Sequence, residues 1–165
     1  MPKIMNEELY ALEGKYLTFN LKEEIYGINV RWIMQIIAIP DIIQIPKTPD
    51  FVRGVINLRG KIVPVMDLRA RFSLPENQYN DRTSIIVIEM LKGTEEFNIG
   101  LIVDKVLEVI DIDKSEIEDS PSFGVDFDSQ FIDAMAKMKG RVITLLAINR
   151  ILSSGEMKQI NQKGE

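Results

Sequence analysis

Short runs of β-branched and other apolar residues, each cut off by a turn signal, recur along this 165-residue chain. That rhythm limits the fold more than any other feature, because runs of roughly four to eight residues suit strands and are too short for stable helices. Leu17, Phe19 and Leu21 alternate with mostly polar neighbours in Tyr16-Leu17-Thr18-Phe19-Asn20-Leu21, which predicts a half-buried strand. Lys22-Glu23-Glu24 makes a charged turn into Ile25-Tyr26-Gly27-Ile28-Asn29-Val30, the second arm of a hairpin. Across 31–46, Ile33, Ile36 and Ile37 have helical spacing, yet Pro40 and Pro46 forbid a long helix. A short helical turn leading into an irregular strand is expected there, followed by a connecting loop over 47–50.

Val55-Ile56-Asn57-Leu58 and Ile62-Val63-Pro64-Val65-Met66 read as the arms of a second hairpin around Arg59-Gly60-Lys61, with Val55 and Asn57 on one face. Gly60 supplies the positive φ that such a turn needs. Pro64 donates no amide hydrogen, so its strand is an edge or carries a bulge. Asp67 is placed to cap a short helix over 68–72. The polar stretch 75–82 predicts a boundary between subdomains. Beyond it the pattern predicts strands over 84–91 and 97–103 around a turn near 92–95, then a strand over 106–112. An acidic loop over 113–128, a short helix near 130–138, a strand over 141–148 and the start of a terminal helix over 149–152 complete the chain. Roughly eight to ten short strands with brief turns indicate small barrels rather than a parallel α/β sheet. The 25 isoleucines supply side chains that suit them.

Composition closes many chemical routes. The absence of cysteine excludes disulfides, thiolate metal sites and thiol catalysis, and the absence of histidine removes the commonest general base. A net charge of −5 without a basic stripe argues against nucleic acid. No uncharged run approaches the roughly 20 apolar residues of a membrane span, and no signal-peptide apolar core follows Met1, so the chain reads as cytoplasmic. No Gly-rich phosphate loop is present: Gly60-Lys61-Ile62 lacks the hydroxyl and the upstream glycine. Asp111-x-Asp113-x-Ser115 resembles the start of a calcium loop, but Glu116 and Ser122 occupy the positions that require glycine and a bidentate acid. Carboxylate-only hydrolysis stays open on composition, with Asp67, Asp81 and Asp104 near element ends, although capping and turn roles suit each. Two features rise above background, each beside a plain structural reading: solvated charge for a turn arginine, and core for most of the isoleucines and valines. The hairpin tip presents Arg59, whose planar fork makes a good interface anchor. Isoleucine and valine are also in excess around 33–45 and 106–110, beyond what a small barrel can hide, which suggests an apolar cleft.

Tyr26-Gly27-Ile28 and Pro46-x-x-Pro49-x-Phe51-Val52-x-Gly54-Val55-Ile56-Asn57-Leu58-Arg59-Gly60-x-Ile62-x-Pro64-Val65-x-Asp67-Leu68 resemble the CheW family of bacterial chemotaxis coupling proteins. Gly100-Leu101-Ile102-Val103-Asp104-x-Val106 resembles it too, and the similarity spans about residues 15–152. The resemblance implies a mainly β fold of two SH3-like five-stranded barrels around a shared hydrophobic core, with a few short helices. It implies a flexible lead-in over 1–13, a domain over 14–152, and a C-terminal tail or helix over 153–165. The first barrel would cover about 14–74 and the second about 81–148, with strand exchange between them left open.

The same resemblance implies no enzymatic activity, no cofactor and no metal. It implies an adaptor in the cytoplasm, recruited to membrane-associated arrays without inserting into the membrane. Its partners would be the regulatory domain of the histidine kinase CheA and the cytoplasmic hairpin tip of methyl-accepting chemotaxis proteins. Matching positions place Ile33, Gln35, Ile36, Ser84, Val106 and Val109 in a receptor-binding groove, and Gly54, Asn57 and Arg59 in the stretch that couples to the kinase. Where the family commonly has glutamate this chain has Gln35, which could still accept a hydrogen bond from Arg59, although a neutral acceptor is weaker than the carboxylate of an ion pair. The rival readings are a nucleic-acid or ribosome binder, which needs a positive face, and a hydrolase, which needs converging carboxylates.

Overall fold

The computed structural model describes residues 12–92, 94–118, 131–153 and 156. Its strands are β1 (Gly14–Leu21), β2 (Glu24–Asn29), β3 (Ile33–Ala38), β4 (Val52–Leu58), β5 (Lys61–Asp67) and β6 (Ser84–Lys92). They continue with β7 (Glu95–Val103), β8 (Lys105–Ile112), β9 (Ile117–Glu118), β10 (Ile132–Met138) and β11 (Arg141–Leu146). One short helix, α1 (Leu68–Arg71), follows β5, and 3-10 turns lie at Val30–Trp32, Lys114–Glu116 and Ile148–Arg150. Asp67 caps α1 as its position requires, its carboxylate accepting from the amides of Arg69 and Ala70.

The strands form two SH3-like barrels, ordered β3-β6-β7-β5-β4 and β8-β1-β2-β11-β10-β9. Each curls shut by the same device. After β3 the chain bends so that Ile43 bridges Val55 on β4. After β8 the capped turn at Lys114–Glu116 sends β9 against β10.

The chain is a structural repeat with its hairpins exchanged. The β1–β2 hairpin opens the first half but pairs with β8 and β11 of the second. The β6–β7 hairpin opens the second half and pairs with β3 and β5 of the first. The 75–82 linker therefore separates two similar stretches of sequence, and barrels bounded at 14–74 and 81–148 do not correspond to the sheets. Strand pairing joins residues far apart in the chain, and a local shift in composition carries no trace of it.

Exchange also explains the strand patterning. Ile85 and Val87 fill the interior of one barrel, while Ile86, Ile88 and Met90 on the opposite face of β6 enter the core shared between barrels. Buried on both faces, β6 reads as a continuous apolar run rather than an alternation. Phe19, Leu21 and Ile28 reach the shared core from the other sheet, and Tyr16, Ile143 and Leu145 fill the second barrel's interior. Pro64 is accommodated because β5 pairs with β7 only from Val65 onward.

Two local expectations change. Residues 132–138 form strand β10, not a helix: Ala134 and Ala136 alternate inward against β11, and pairing overrides the helix preference of Ala, Met and Lys. At 149–152 a 3-10 turn takes the place of a helix start, and Ile151 and Leu152 turn into the shared core. Most of the lead-in, the acidic loop beyond residue 118 and nearly all of the tail lie outside the described residues.

Candidate functional site

Strands β3 and β8 occupy equivalent places in the two sheets, next to β6 and β1 respectively, and carry the related strings Ile33-Met34-Gln35-Ile36 and Val106-Leu107-Glu108-Val109. Both are irregular. The β3–β6 register shifts between Ile33 and Gln35, and the β1–β8 register shifts between Leu17 and Phe19. In β8 the break is filled by buried Thr18, whose hydroxyl donates to the Glu108 carbonyl at 2.7 Å and accepts from the Glu108 amide at 3.2 Å. Such bulges bend a strand and re-aim its side chains.

The result is a pair of strands with apolar residues on both faces. Ile33 and Val106 pack inward against the shared core. Met34, Ile36 and Val109 remain 49%, 44% and 53% exposed. Gln35 is half-buried on β3, and half-buried Ser84 pairs with Ala38 at its far end, its hydroxyl donating to the Arg82 carbonyl. Gln35, Ile36 and Ser84 thus share one sheet, Val106 and Val109 lie on the other, and Ile33 and Val106 approach the same core from the two sheets.

The β4–β5 hairpin builds the second surface. Arg59 and Gly60 both have positive φ, 53° and 84°, as a type I′ turn demands. Asn57 closes that turn, its side-chain oxygen accepting from the Gly60 amide at 2.9 Å. Arg59 is thereby held exposed at the tip. Among the described residues no hydrogen bond joins it to Gln35. Gly54 has φ 139°, and a Cβ there would stand 2.1 Å from the Ile43 carbonyl oxygen, so only glycine lets the closing bridge form. Gly54 and Asn57 shape this surface; Arg59 is what it displays.

Sequence reasoning missed Ile62, 60% exposed on that hairpin, and named Ile43, 61% exposed on the segment that bridges β4, only as part of the apolar stretch 33–45. It missed Met34 as well, a flexible thioether of the kind adaptable interfaces favour. A signal existed for the hairpin. Gly60-Lys61-Ile62-Val63 reappears as Gly140-Arg141-Val142-Ile143, with Lys139 and Gly140 again at positive φ and Val142 again exposed.

The acidic candidates are structural. Asp67 is buried; it accepts from the Tyr79 hydroxyl at 2.7 Å, and the Arg53 Nε lies 3.6 Å away. Burial, then the hydrogen bond to Asp67, pushes the Tyr79 phenol well above its ordinary range. Asp104 receives Arg69 through both Nε and Nη2, and that bonding raises the pKa of the guanidinium. Asp67 and Asp104 line a common cavity of about 10 Å³, room for one water and no substrate. Asp81 lies exposed in a turn. Asp113 caps the 3-10 turn, its pKa lowered by hydrogen bonds from the Ser115 hydroxyl and amide. Among the described residues no group of three or more acidic side chains converges to hold a metal.

The family model for the CheW-like domain matches residues 15–156. Similar curated proteins include the chemotaxis protein CheW of Klebsiella aerogenes, 32% identical over 147 residues that cover 89% of this chain and 86% of that protein. The chemotaxis protein CheW of Bacillus subtilis is 34% identical over 139 residues, covering 84% and 86%. Among solved structures, the scaffolding protein TtCheW from Thermoanaerobacter tengcongensis superposes with a TM-score of 0.77 at 34% identity, over 88% of this chain and 91% of that one.

Proposed function

From the premise that this chain belongs to the CheW-like domain family, whose members are chemotaxis scaffolds and adaptors rather than enzymes, we propose that it couples methyl-accepting chemoreceptors to the kinase CheA. The observation that carries the reading is the exposure of Met34, Ile36 and Val109 on two bulged strands that also set Ile33 and Val106 against the shared core. Apolar side chains on rigid strands, uncovered by their own chain, suit the helix-in-groove mode, in which a receptor helix lays down an apolar stripe. In this reading Ile33, Gln35, Ile36, Ser84, Val106 and Val109 form the receptor groove, and the Arg59 hairpin, kept in shape by Gly54 and Asn57, meets the kinase's regulatory domain.

The output is geometric. The adaptor changes kinase activity by holding kinase and receptor in one arrangement, and a signal passes because receptor states differ in how they engage it. Contacts this small bind weakly, and repetition across an array supplies avidity. No described helix is long and apolar enough to cross a membrane, so recruitment to the membrane-associated array would come through the receptors.

Arg59→Asp tests this reading in a reconstituted receptor–adaptor–kinase mixture. Arg59 is exposed and makes no hydrogen bond among the described residues, so the circular-dichroism melt should be unchanged while kinase activation falls. Full activation by the variant would remove Arg59 from the coupling surface.

A further inference from the structure

Asp104 is the residue at which the chain passes from one sheet to the other, between the end of β7 and the start of β8. Its amide donates to the Asn20 carbonyl on β1, and its carboxylate accepts from the Lys22 amide in the β1–β2 turn at 2.7 Å, both in the second sheet. The same carboxylate accepts from the Arg69 Nε at 2.8 and 3.0 Å and from Nη2. Arg69 belongs to α1, which extends β5 of the first sheet, and its Nη1 donates to the Pro75 carbonyl at the head of the linker. The two side chains are only 14% and 19% exposed, so the pair is largely shielded from water. One carboxylate therefore ties together a turn of one barrel, the helix of the other and, through Arg69, the linker.

We infer that Arg69 and Asp104 are positioning residues that set the angle between the two barrels and so fix where β8 stands relative to β3 for partner binding. The inference rests on the groove reading above. Val106 lies two residues after Asp104 and Val109 five, so the direction in which β8 leaves this junction decides where both stand relative to Ile33 and Ile36. The shared core is apolar and fixes the distance between the barrels better than their angle, because the hydrophobic effect is non-directional. A bidentate guanidinium–carboxylate pair with further amide donors is directional and supplies what the core lacks.

The test exploits the absence of cysteine, which makes introduced thiols unique. Spin labels on Lys61→Cys and Lys137→Cys, exposed positions on β5 and β10, report the distance between barrels in the full chain by pulsed electron resonance. The parent should give one narrow distribution, and Arg69→Gln and Asp104→Asn should each broaden or displace it at temperatures well below their melts. Ile85→Val, inside one barrel only, controls for simple destabilisation and should leave the distribution narrow. In unlabelled protein, if about a tenth of the molecules keep the competent angle, the apparent Kd for a receptor cytoplasmic fragment rises about tenfold. Distributions unchanged in both clasp variants would overturn the inference, as would broadened distributions with undiminished receptor binding. A parent that binds no receptor fragment would overturn the groove reading and the partner half of this inference with it, while the distances would still decide whether the clasp sets the angle.

Discussion

Gly54→Ala distinguishes a residue that shapes a surface from one that touches a partner. A Cβ at position 54 would sit 2.1 Å from the Ile43 carbonyl oxygen and 2.8 Å from its carbon, both backbone atoms that no rotamer change can move aside. The segment carrying Ile43 must withdraw from β4, and two hydrogen bonds of 2.8 Å, Ile43 amide to Val55 carbonyl and the reverse, are lost. At about 1 kcal/mol each these contribute about 2 kcal/mol. Holding alanine at a glycine-only φ near 139° adds about 1–3 kcal/mol. The sum, about 3–5 kcal/mol, corresponds for a chain of this size to a melting temperature lower by on the order of 10 °C. The assay pairs a urea or thermal melt with hydrogen exchange at the Val55 amide, which should lose protection, and kinase activation should fall alongside. A variant that melts with the parent and keeps that amide protected would refute the closure argument, and Gly54 would have to be reassigned as a contact residue.

Val106→Lys sets a charge against the shared core beside the groove and should weaken receptor binding more than kinase binding, measured by separate pull-downs; equal losses would indicate general misfolding. Arg71 lies between the rings of Phe51 and Phe131, 4.4 and 4.6 Å from their centroids, and donates to the Ile151 carbonyl and to Glu156. Arg71→Met keeps the stem but loses these, and chemical denaturation should register a loss of about 2–3 kcal/mol; a loss of less than about 1 kcal/mol would contradict the assigned role. Tyr79 keeps its proton above the ordinary phenol range in the folded state, so its contribution is complete below pH about 10 and is lost as pH rises through the folded-state pKa. Tyr79→Phe should therefore be less stable than the parent at neutral pH, with the gap closing in strong alkali, and should remove the last-titrating component of the phenolate absorbance. A gap that widens with pH would reverse the sign of the argument.

The parts of the site legible in sequence are those built by neighbours in the chain. The turn Leu58-Arg59-Gly60-Lys61 and the Asp67 cap depend on residues within a few positions of one another and are where the sequence puts them. By contrast β1, read as half-buried from its alternation, buries Tyr16 and Thr18 as well as Leu17, Phe19 and Leu21 because a core lies on each of its faces. The resemblance carried Gly54 into the site, but the reason for it, the Ile43 carbonyl, lies eleven residues away across a loop and has no local signature. The Thr18 hydroxyl that fills the β8 bulge pairs residues 90 positions apart, and a threonine alternating in a strand gives no warning of it. Residues 132–138 read as a helix for the opposite reason: their local helix preference is genuine and is overruled by β11.

Alone, the amino-acid order determined that this chain would be short strands and tight turns, that it would lack thiol and imidazole chemistry, and which hairpin would lift an arginine into solvent. Tertiary structure decided which half each hairpin joins, where the two barrels share a core, and that Asp104 stands at the crossing between them. Closing a longer loop costs only logarithmically more, so a distant partner competes almost equally with a near one. The choice falls to the apolar faces that fit together once the sheets meet, and that fit is a property of surfaces assembled from remote residues.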